Sequence, residues 1–280
     1  MIFETLIDAG RLHADLGAGD WCLFDVRHQL TDAAYGESAY AAGHIPGAFF
    51  LHCDRDLSGP KIPGSGRHPL PDPQILAEKL RSCGLNSTTQ VVVYDDSQGM
   101  IAGRLWWMLR WLGHRSVALL DGGLQAWVRA GGQLSTASLP VSKAGDFRPG
   151  ALSGAVDAAF VESHLQSAGL RLVDARSPDR FRGENETLDP VGGHIPGAIN
   201  RFFRDNLDGE GCLKAAPVLR EEWQALLDGA APQSVVHQCG SGVSGCLNLL
   251  AMEHAGLPGS RLYPGSWSEW CADPSRPVAR

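Results

Sequence analysis

The chain contains the same series of motifs twice, and this internal repeat limits its possible folds more than any other feature. Four segments of the first half recur in the same order in the second half. The matching pairs are residues 7–27 and 156–176, 43–50 and 193–200, 91–105 and 234–248, and 119–127 and 262–270. Repetition on this scale within 280 residues indicates a duplicated domain. We expect an N-terminal domain over residues 1–138 and a C-terminal domain over residues 151–280, joined by a polar linker at 136–150.

Each half alternates short apolar runs with longer stretches typical of helices. The apolar runs WCLFDVR, VVVYD, LRLVDAR and SVVHQC end in polar residues, as buried parallel strands do. The helical candidates are PDPQILAEKLRSCG, GRLWWMLRWLGH and PVLREEWQALLDGA. This alternation predicts an α/β fold of two tandem domains, each a parallel sheet with helices on both faces. Ligands of such sheets bind beyond the carboxyl ends of the strands.

The stretch QCGSGVSGC places Cys239 at such a position, between a predicted strand and a predicted helix. Unpaired N–H groups at a helix start favour an anion, and Gly240, Gly242 and Gly245 allow the backbone to curl around it. Ser241 and Ser244 add hydroxyl donors. We therefore expect a lowered pKa for Cys239 and a role as nucleophile. The alternative is a buried structural cysteine beside a tight turn.

The first half offers an internal comparison. The residue aligned with Cys239 is Asp96, and a carboxylate cannot serve as a sulfur nucleophile, so we expect the N-terminal domain to be catalytically inactive. The GHIPGA segment occurs in both halves, which favours a structural turn over a catalytic role for its histidines. His44 is kept as a possible contributor to the site of the other domain.

Composition excludes several classes of protein. The net charge of −7 argues against nucleic-acid binding. No stretch has the length and apolarity of a signal peptide or membrane span, so we expect a cytoplasmic protein without membrane contact. Seven scattered cysteines with no C-x-x-C pair predict neither a disulfide framework nor a zinc site. We expect no metal and no cofactor.

The GHIPGA pair, DARSPDRFRG, CGSGVSGC and YPGSWSEW together resemble the two-domain rhodanese family of sulfurtransferases, which use thiosulfate or 3-mercaptopyruvate. The resemblance implies two α/β domains and a sulfur atom carried as a persulfide on Cys239, in the C-terminal domain. It implies transfer from a small donor to cyanide or a thiol, with a thioredoxin-like reductant as a possible partner. The loop residues Gly240, Gly242, Val243 and Ser244 are then expected to bind substrate.

The identity of the donor depends on the loop and on arginines. C-G-S-G-V resembles the mercaptopyruvate loop, with the Ser241 hydroxyl as a proton relay; thiosulfate is the alternative donor. Arg182, in RFRG, matches a substrate arginine of the family, whereas Arg180 is interpreted as a surface or interdomain charge. The second arginine of mercaptopyruvate enzymes is missing from GENETLDPVG. Arg201 is expected either to replace it or to be a solvated surface residue.

The stretch GPKIPGSGRHPLPDP, residues 59–73, occurs only in the first half. It is either a surface loop or a wall of the substrate cleft that brings in Arg67 or His68.

The cysteine loop is compatible with other classes of protein as well. A cysteine phosphatase needs an arginine where the chain has Gly245, which argues against that class. A carrier that holds a persulfide for a protein partner, and a structural pseudoenzyme, remain as alternatives.

Overall fold

Two compact units make up the computed structural model, which describes residues 2–17, 19–137, 139, 143–165, 167 and 169–280. The first unit comprises Met1–Gly59, Pro71–Ser153 and Glu210–Cys212, and the second comprises Pro60–Leu70, Gly154–Gly209 and Leu213–Arg280. The predicted boundary at residue 138 and residues 140–142 of the predicted linker lie outside the described residues. Further along this linker, the N–H of Phe147 donates to the carbonyl of Leu85, in the first unit. The predicted limits 1–138 and 151–280 stay a prediction.

The first unit is built on a parallel sheet with the strand order β1-β5-β4-β2-β3. Its strands are β1 (Leu6–Ile7), β2 (Trp21–Asp25), β3 (Ala48–Phe50), β4 (Gln90–Tyr94) and β5 (Val117–Leu120). Its helices are α1 (Ala9–Asp15), α2 (Tyr35–Ala42), α3 (Pro73–Ser82), α4 (Ala102–Trp111) and α5 (Gly123–Arg129). All five residues of β4 are buried, as its unbroken apolar run predicts for a central parallel strand.

The second unit repeats this plan with the strand order β7-β6-β8-β9, again parallel. Its strands are β6 (Arg171–Asp174), β7 (Ile199–Asn200), β8 (Val235–Gln238) and β9 (Arg261–Leu262). Its α-helices are α6 (Ala158–Ser163), α7 (Pro178–Phe181), α8 (Ala216–Leu227), α9 (Gly245–His254) and α10 (Ser266–Trp270), with 3-10 turns at Phe203–Asn206 and Pro232–Ser234.

These two sheets confirm the predicted α/β fold class. The three helical candidates form α3, α4 and α8, and local chemistry explains the start of α3. The side chain of Asp72 accepts hydrogen bonds from the first turn of α3, where Pro73 suits the opening position. Across the part of the chain that the structure describes, no helix has the length and apolarity needed to cross a membrane.

Strand register corrects one sequence-based assignment. In the first unit Asp25 pairs with Tyr94, and in the second unit the matching Asp174 pairs with Gln238. The residue that follows Tyr94, Asp95, is therefore the counterpart of Cys239. The ungapped alignment that selected Asp96 is wrong by one position, because it ignored the pairing with the neighbouring strand.

Candidate active site

The cysteine loop of the second unit runs from Cys239 to Ser244, between the end of β8 and the start of α9. Cys239 is buried, with 2% of its surface exposed. The N–H of Val243 donates to its sulfur atom over 3.2 Å. The loop therefore wraps its own backbone around the sulfur, as the glycine-rich sequence predicted.

The pKa of Cys239 is lowered by this environment. Burial alone would raise it, because it disfavours the thiolate. Hydrogen bonds to the sulfur outweigh that effect; the donors are the hydroxyl of Ser244 and the N–H groups of Ser241, Gly245 and Val243. A thiol held in this way is a stronger acid than a free one, which favours the reactive thiolate.

The segment after β9, which contains the YPGSW motif, holds the loop in place. Ser266 accepts a hydrogen bond from the N–H of Cys239 at 3.1 Å, and Trp267 donates its N–H to the carbonyl of the same cysteine. Gly242 lies against this segment with φ +73°. A Cβ there would approach the carbonyl oxygen of Pro264 to 2.2 Å, so both the backbone angle and the space require glycine.

The first unit contains the same cradle with a different anion in it. The N–H groups of residues two, four and six positions after Asp95 donate to its carboxylate; they are Ser97, Gly99 and Ile101, at 2.8–3.0 Å. The residues whose N–H groups donate to Cys239 likewise lie two, four and six positions after it. Burial raises the pKa of Asp95, and these N–H groups partly oppose it. The fold thus surrounds an acidic side chain with N–H donors at this position in both units.

Residues 60–70, here called the strap, belong to the second unit and bring two side chains to the cysteine loop. Nδ1 of His68 lies 2.7 Å from the hydroxyl oxygen of Ser241, and both residues are buried. The backbone N–H of Arg67 donates to the hydroxyl of Ser268 over 3.0 Å. Of the two roles considered for this stretch, the contacts favour a wall of the site over a plain surface loop.

Two guanidinium groups lie beside the residue that follows the cysteine. A Cβ at Gly240 would lie 2.7 Å from Nη2 of Arg67 and 3.5 Å from Nη2 of Arg180. Asp189 pairs with Arg67, and Glu186 binds Arg180 at 2.8 Å. The side chains of both acids are only 3% exposed. Arg180 therefore lies at the loop rather than serving as the surface or interdomain charge expected for it.

A third arginine extends this network. Arg176 donates to Oδ2 of Asp174 from Nε at 3.0 Å and from Nη2 at 2.7 Å, and it lies 3.3 Å from Glu186. The two acids Glu186 and Asp189 were not predicted from the sequence, because nothing in GENETLDPVG distinguishes them from ordinary acids of a surface turn.

Two other predicted substrate arginines have partners elsewhere. Arg182 is exposed and pairs with Glu184 at 2.7 Å. Arg201 pairs with Glu222, donates to the carbonyl of Asp205 at 3.0 Å, and lies over the ring of Trp223. These contacts give neither arginine a link to Cys239, and their roles in binding stay predictions.

The predicted contributor His44 lies in the first unit, where its contacts are structural. Its ring stacks on Tyr40 at 3.8 Å, and its backbone pairs with Ser135. His194 repeats the pattern in the second unit, since it stacks on Phe181 and pairs with Ala279. These parallel contacts agree with the turn role inferred for GHIPGA, and a catalytic role for His44 stays a prediction.

One group of side chains in the first unit has the composition of a metal site: His28, His52 and Asp54. Both ring nitrogens of His52 are already engaged. Nε2 lies 2.9 Å from the carbonyl oxygen of Ala33, and Nδ1 accepts the N–H of Asp54 over 3.1 Å. The ring therefore has no lone pair directed at an ion in this arrangement.

Comparison with known proteins identifies the family of this chain. The model of the rhodanese-like domain matches residues 8–130 and 157–273. The chain is 49% identical to the probable 3-mercaptopyruvate sulfurtransferase of Pseudomonas aeruginosa, covering 100% of this chain and 99% of that protein. It is 38% identical to the putative thiosulfate sulfurtransferase SseB of Mycobacterium tuberculosis, covering 99% and 97%.

A solved structure shows the same architecture. The 3-mercaptopyruvate sulfurtransferase from Leishmania major superposes with a TM-score of 0.83 at 30% sequence identity, over 95% of this chain and 74% of that one. The resemblance noted in the sequence is thereby confirmed, and the chain belongs to the rhodanese family of sulfurtransferases.

Proposed function

We propose that the protein transfers a sulfur atom from 3-mercaptopyruvate to cyanide or a thiol, with the sulfur carried as a persulfide on Cys239. The observation that carries the proposal is the cradle around this residue. Its donors lower the pKa of the thiol, and the same offsets hold a carboxylate in the first unit. A cradle suited to an anion stabilises both the thiolate and a persulfide anion.

The two half-reactions balance without an outside oxidant. The Cys239 thiolate attacks the thiol sulfur of mercaptopyruvate, so that an S–S bond forms and the C–S bond breaks. The electron pair of the C–S bond passes to the carbon as an enolate. This carbon gains one proton, which comes from the donor thiol. The products are pyruvate and a persulfide anion on Cys239. Cyanide or a thiolate then takes the outer sulfur and regenerates the thiolate.

Ser241 and His68 are suited to move a proton to the enolate. Their hydrogen bond of 2.7 Å links the loop to a buried imidazole. A hydroxyl at this position donates to the developing enolate oxygen, and the imidazole relays to it the proton that the donor thiol releases. Ser241 thereby takes the relay role expected of it, with His68 as the group behind it.

Charge balance around the loop favours a donor with a single negative charge. Three guanidinium groups, of Arg67, Arg176 and Arg180, face three carboxylates, of Asp174, Glu186 and Asp189. The network is neutral before the thiolate forms. A monocarboxylate therefore meets less repulsion than the thiosulfate dianion. In this proposal Arg180 binds the donor carboxylate, a role that was predicted from the sequence for Arg182 and Arg201.

The proposal also covers where the protein acts and which domain carries the activity. We place the protein in the cytoplasm, where a thioredoxin-like protein can reduce the persulfide, and we assign activity to the predicted C-terminal domain alone. The first unit has Asp95 in its cradle, which leaves it no sulfur nucleophile at that position. No metal or cofactor enters the reaction as written.

The proposal is tested by measuring kcat/KM for sulfur transfer to cyanide from mercaptopyruvate and from thiosulfate. We expect mercaptopyruvate to be preferred, and intact mass to show one added sulfur that is absent in Cys239→Ser. Full transfer by Cys239→Ser would refute the mechanism. A preference for thiosulfate, the donor in the name of the mycobacterial relative, would refute the choice of donor.

His68→Gln separates the relay from binding. Because sulfite leaves thiosulfate without needing a proton, we expect kcat to fall about 100-fold with mercaptopyruvate and to change little with thiosulfate. An equal loss with both donors would show that His68 supports the loop rather than the proton transfer.

A further inference from the structure

We propose that Arg67 of the strap is the second arginine of the donor site, and that Asp189 positions it and sets the charge that the site accepts. This inference rests on the proposed function. It assigns the donor carboxylate to a pair of guanidinium groups, Arg67 and Arg180, that come from distant parts of the sequence.

Geometry brings the two groups to one point. The Cβ position of Gly240 is 2.7 Å from Arg67 and 3.5 Å from Arg180. Gly240 directly follows Cys239, so an anionic group bound between the two arginines lies beside the reactive sulfur. Paired guanidinium groups are well suited to hold a planar carboxylate in a fixed orientation.

Asp189 anchors the arginine of the strap. Its carboxylate pairs with Nη1 of Arg67, and its other oxygen lies 3.6 Å from Nη2 of Arg180. Nη2 of Arg67 is the atom that faces Gly240. The backbone N–H of Arg67 donates to Ser268, which fixes the strap next to the loop. One side of this guanidinium is thus held by protein while the other faces the site.

The same contacts predict how the site discriminates by charge. Asp189 neutralises Arg67, so the pair adds orientation without adding net positive charge. Removing that carboxylate raises the local positive potential, which benefits a dianion more than a monoanion. Asp189 therefore acts as a specificity-determining residue through Arg67.

The first test is Arg67→Gln, which keeps a side chain able to hydrogen-bond to Asp189. We expect kcat/KM with mercaptopyruvate to fall roughly 10- to 100-fold, mainly through KM, as for loss of a charged hydrogen bond. Arg55→Ala is the matched control, since Arg55 is exposed and pairs with Glu37 in the first unit; it should leave kcat/KM unchanged. Wild-type kcat/KM in Arg67→Gln would overturn the proposal.

Moving the arginine from position 67 to position 189 provides a rescue experiment. In Arg67→Ala combined with Asp189→Arg, the new guanidinium starts from a side chain that already lies against Arg180. We expect the double variant to recover at least tenfold in kcat/KM over Arg67→Ala alone, as for regain of a charged hydrogen bond. Failure of the double variant to exceed Arg67→Ala would overturn the assigned role.

Asp189→Asn tests discrimination. We expect the ratio of kcat/KM for thiosulfate to that for mercaptopyruvate to rise severalfold, and an unchanged or lower ratio would overturn the charge argument. The proposed function fails separately, if the wild-type protein shows no sulfur transfer that depends on Cys239.

Discussion

Asp95 and Cys239 occupy the same position in two copies of one loop. Each follows a strand whose last residue pairs with the aspartate of a D-x-R motif. The side chain of each accepts hydrogen bonds from the N–H groups of the residues two, four and six positions later. The cradle of N–H groups is therefore a property of the fold. The side chain placed in it decides whether the unit has a sulfur nucleophile.

Asp95→Cys should place a second thiol among the N–H groups of the first cradle, but without a hydroxyl donor. Burial outweighs the N–H groups around Asp95, and Met100 stands where Ser244 gives its hydroxyl to Cys239, so we expect the pKa of the new cysteine to lie above that of Cys239. The measurement is the pH dependence of iodoacetamide alkylation in a Cys239→Ser background, with peptide mass mapping to identify the modified residue. The alkylation midpoint should lie above that of Cys239 in the wild-type protein; an equal or lower midpoint would mean that the N–H groups alone are enough to stabilise the thiolate.

No sulfur transfer should accompany this reactivity, because Arg67 and His68 belong to the second unit. Turnover by the same variant with mercaptopyruvate would show that the backbone cradle alone is sufficient for catalysis.

Ser244→Ala should raise the pKa of Cys239. Of the groups that oppose the effect of burial, the Ser244 hydroxyl lowers the pKa of Cys239 the most. Its loss should shift the alkylation midpoint of Cys239 to higher pH and reduce sulfur transfer most strongly on the acid side of the profile. Ser163→Ala, at an exposed position of α6, is the control and should leave the midpoint unchanged. A midpoint that does not move in Ser244→Ala would contradict the assignment of this hydroxyl.

The sequence predicted the sheets, three of the helices and the cysteine loop because each depends on local pattern. Apolar runs identify buried strands, and glycine followed by a helix identifies the cradle. It could not identify Asp189 as a site residue, since an ion pair with Arg67, 122 positions away, leaves no periodic signal. The shift from Asp96 to Asp95 has the same origin: strand register is a tertiary property that residue-by-residue alignment does not contain.

Gly242→Ala should damage both folding and activity. A side chain at φ +73° is strained, and its Cβ would collide with the carbonyl oxygen of Pro264 at 2.2 Å. We expect a loss of about 1–3 kcal/mol in the free energy of unfolding, together with loss of sulfur transfer. Gly209→Ala is the control, because a Cβ there meets no atom within 4 Å. Equal thermal midpoints for the two variants would contradict the packing described here.

The imidazole of His237 should make stability depend on pH. It lies fully buried on β8, edge-on to Trp223, and burial lowers its pKa from 6.5 to about 3. The unfolded chain therefore binds a proton between these pH values that the folded chain excludes. Stability from this residue is complete above pH 6.5 and is lost as the pH falls towards 3, by about 1.4 kcal/mol per pH unit.

Replacing His237 with leucine should remove that component of acid sensitivity. We expect urea unfolding, followed by tryptophan fluorescence, to show a free energy of unfolding that falls less between pH 7 and pH 4.5 than in the wild-type protein, by roughly 3 kcal/mol. Val236→Ala on the same strand is the control, since a cavity in the core costs the same free energy at every pH. Parallel pH curves for the wild-type protein and His237→Leu would show that the imidazole is protonated in the folded chain as readily as in the unfolded one.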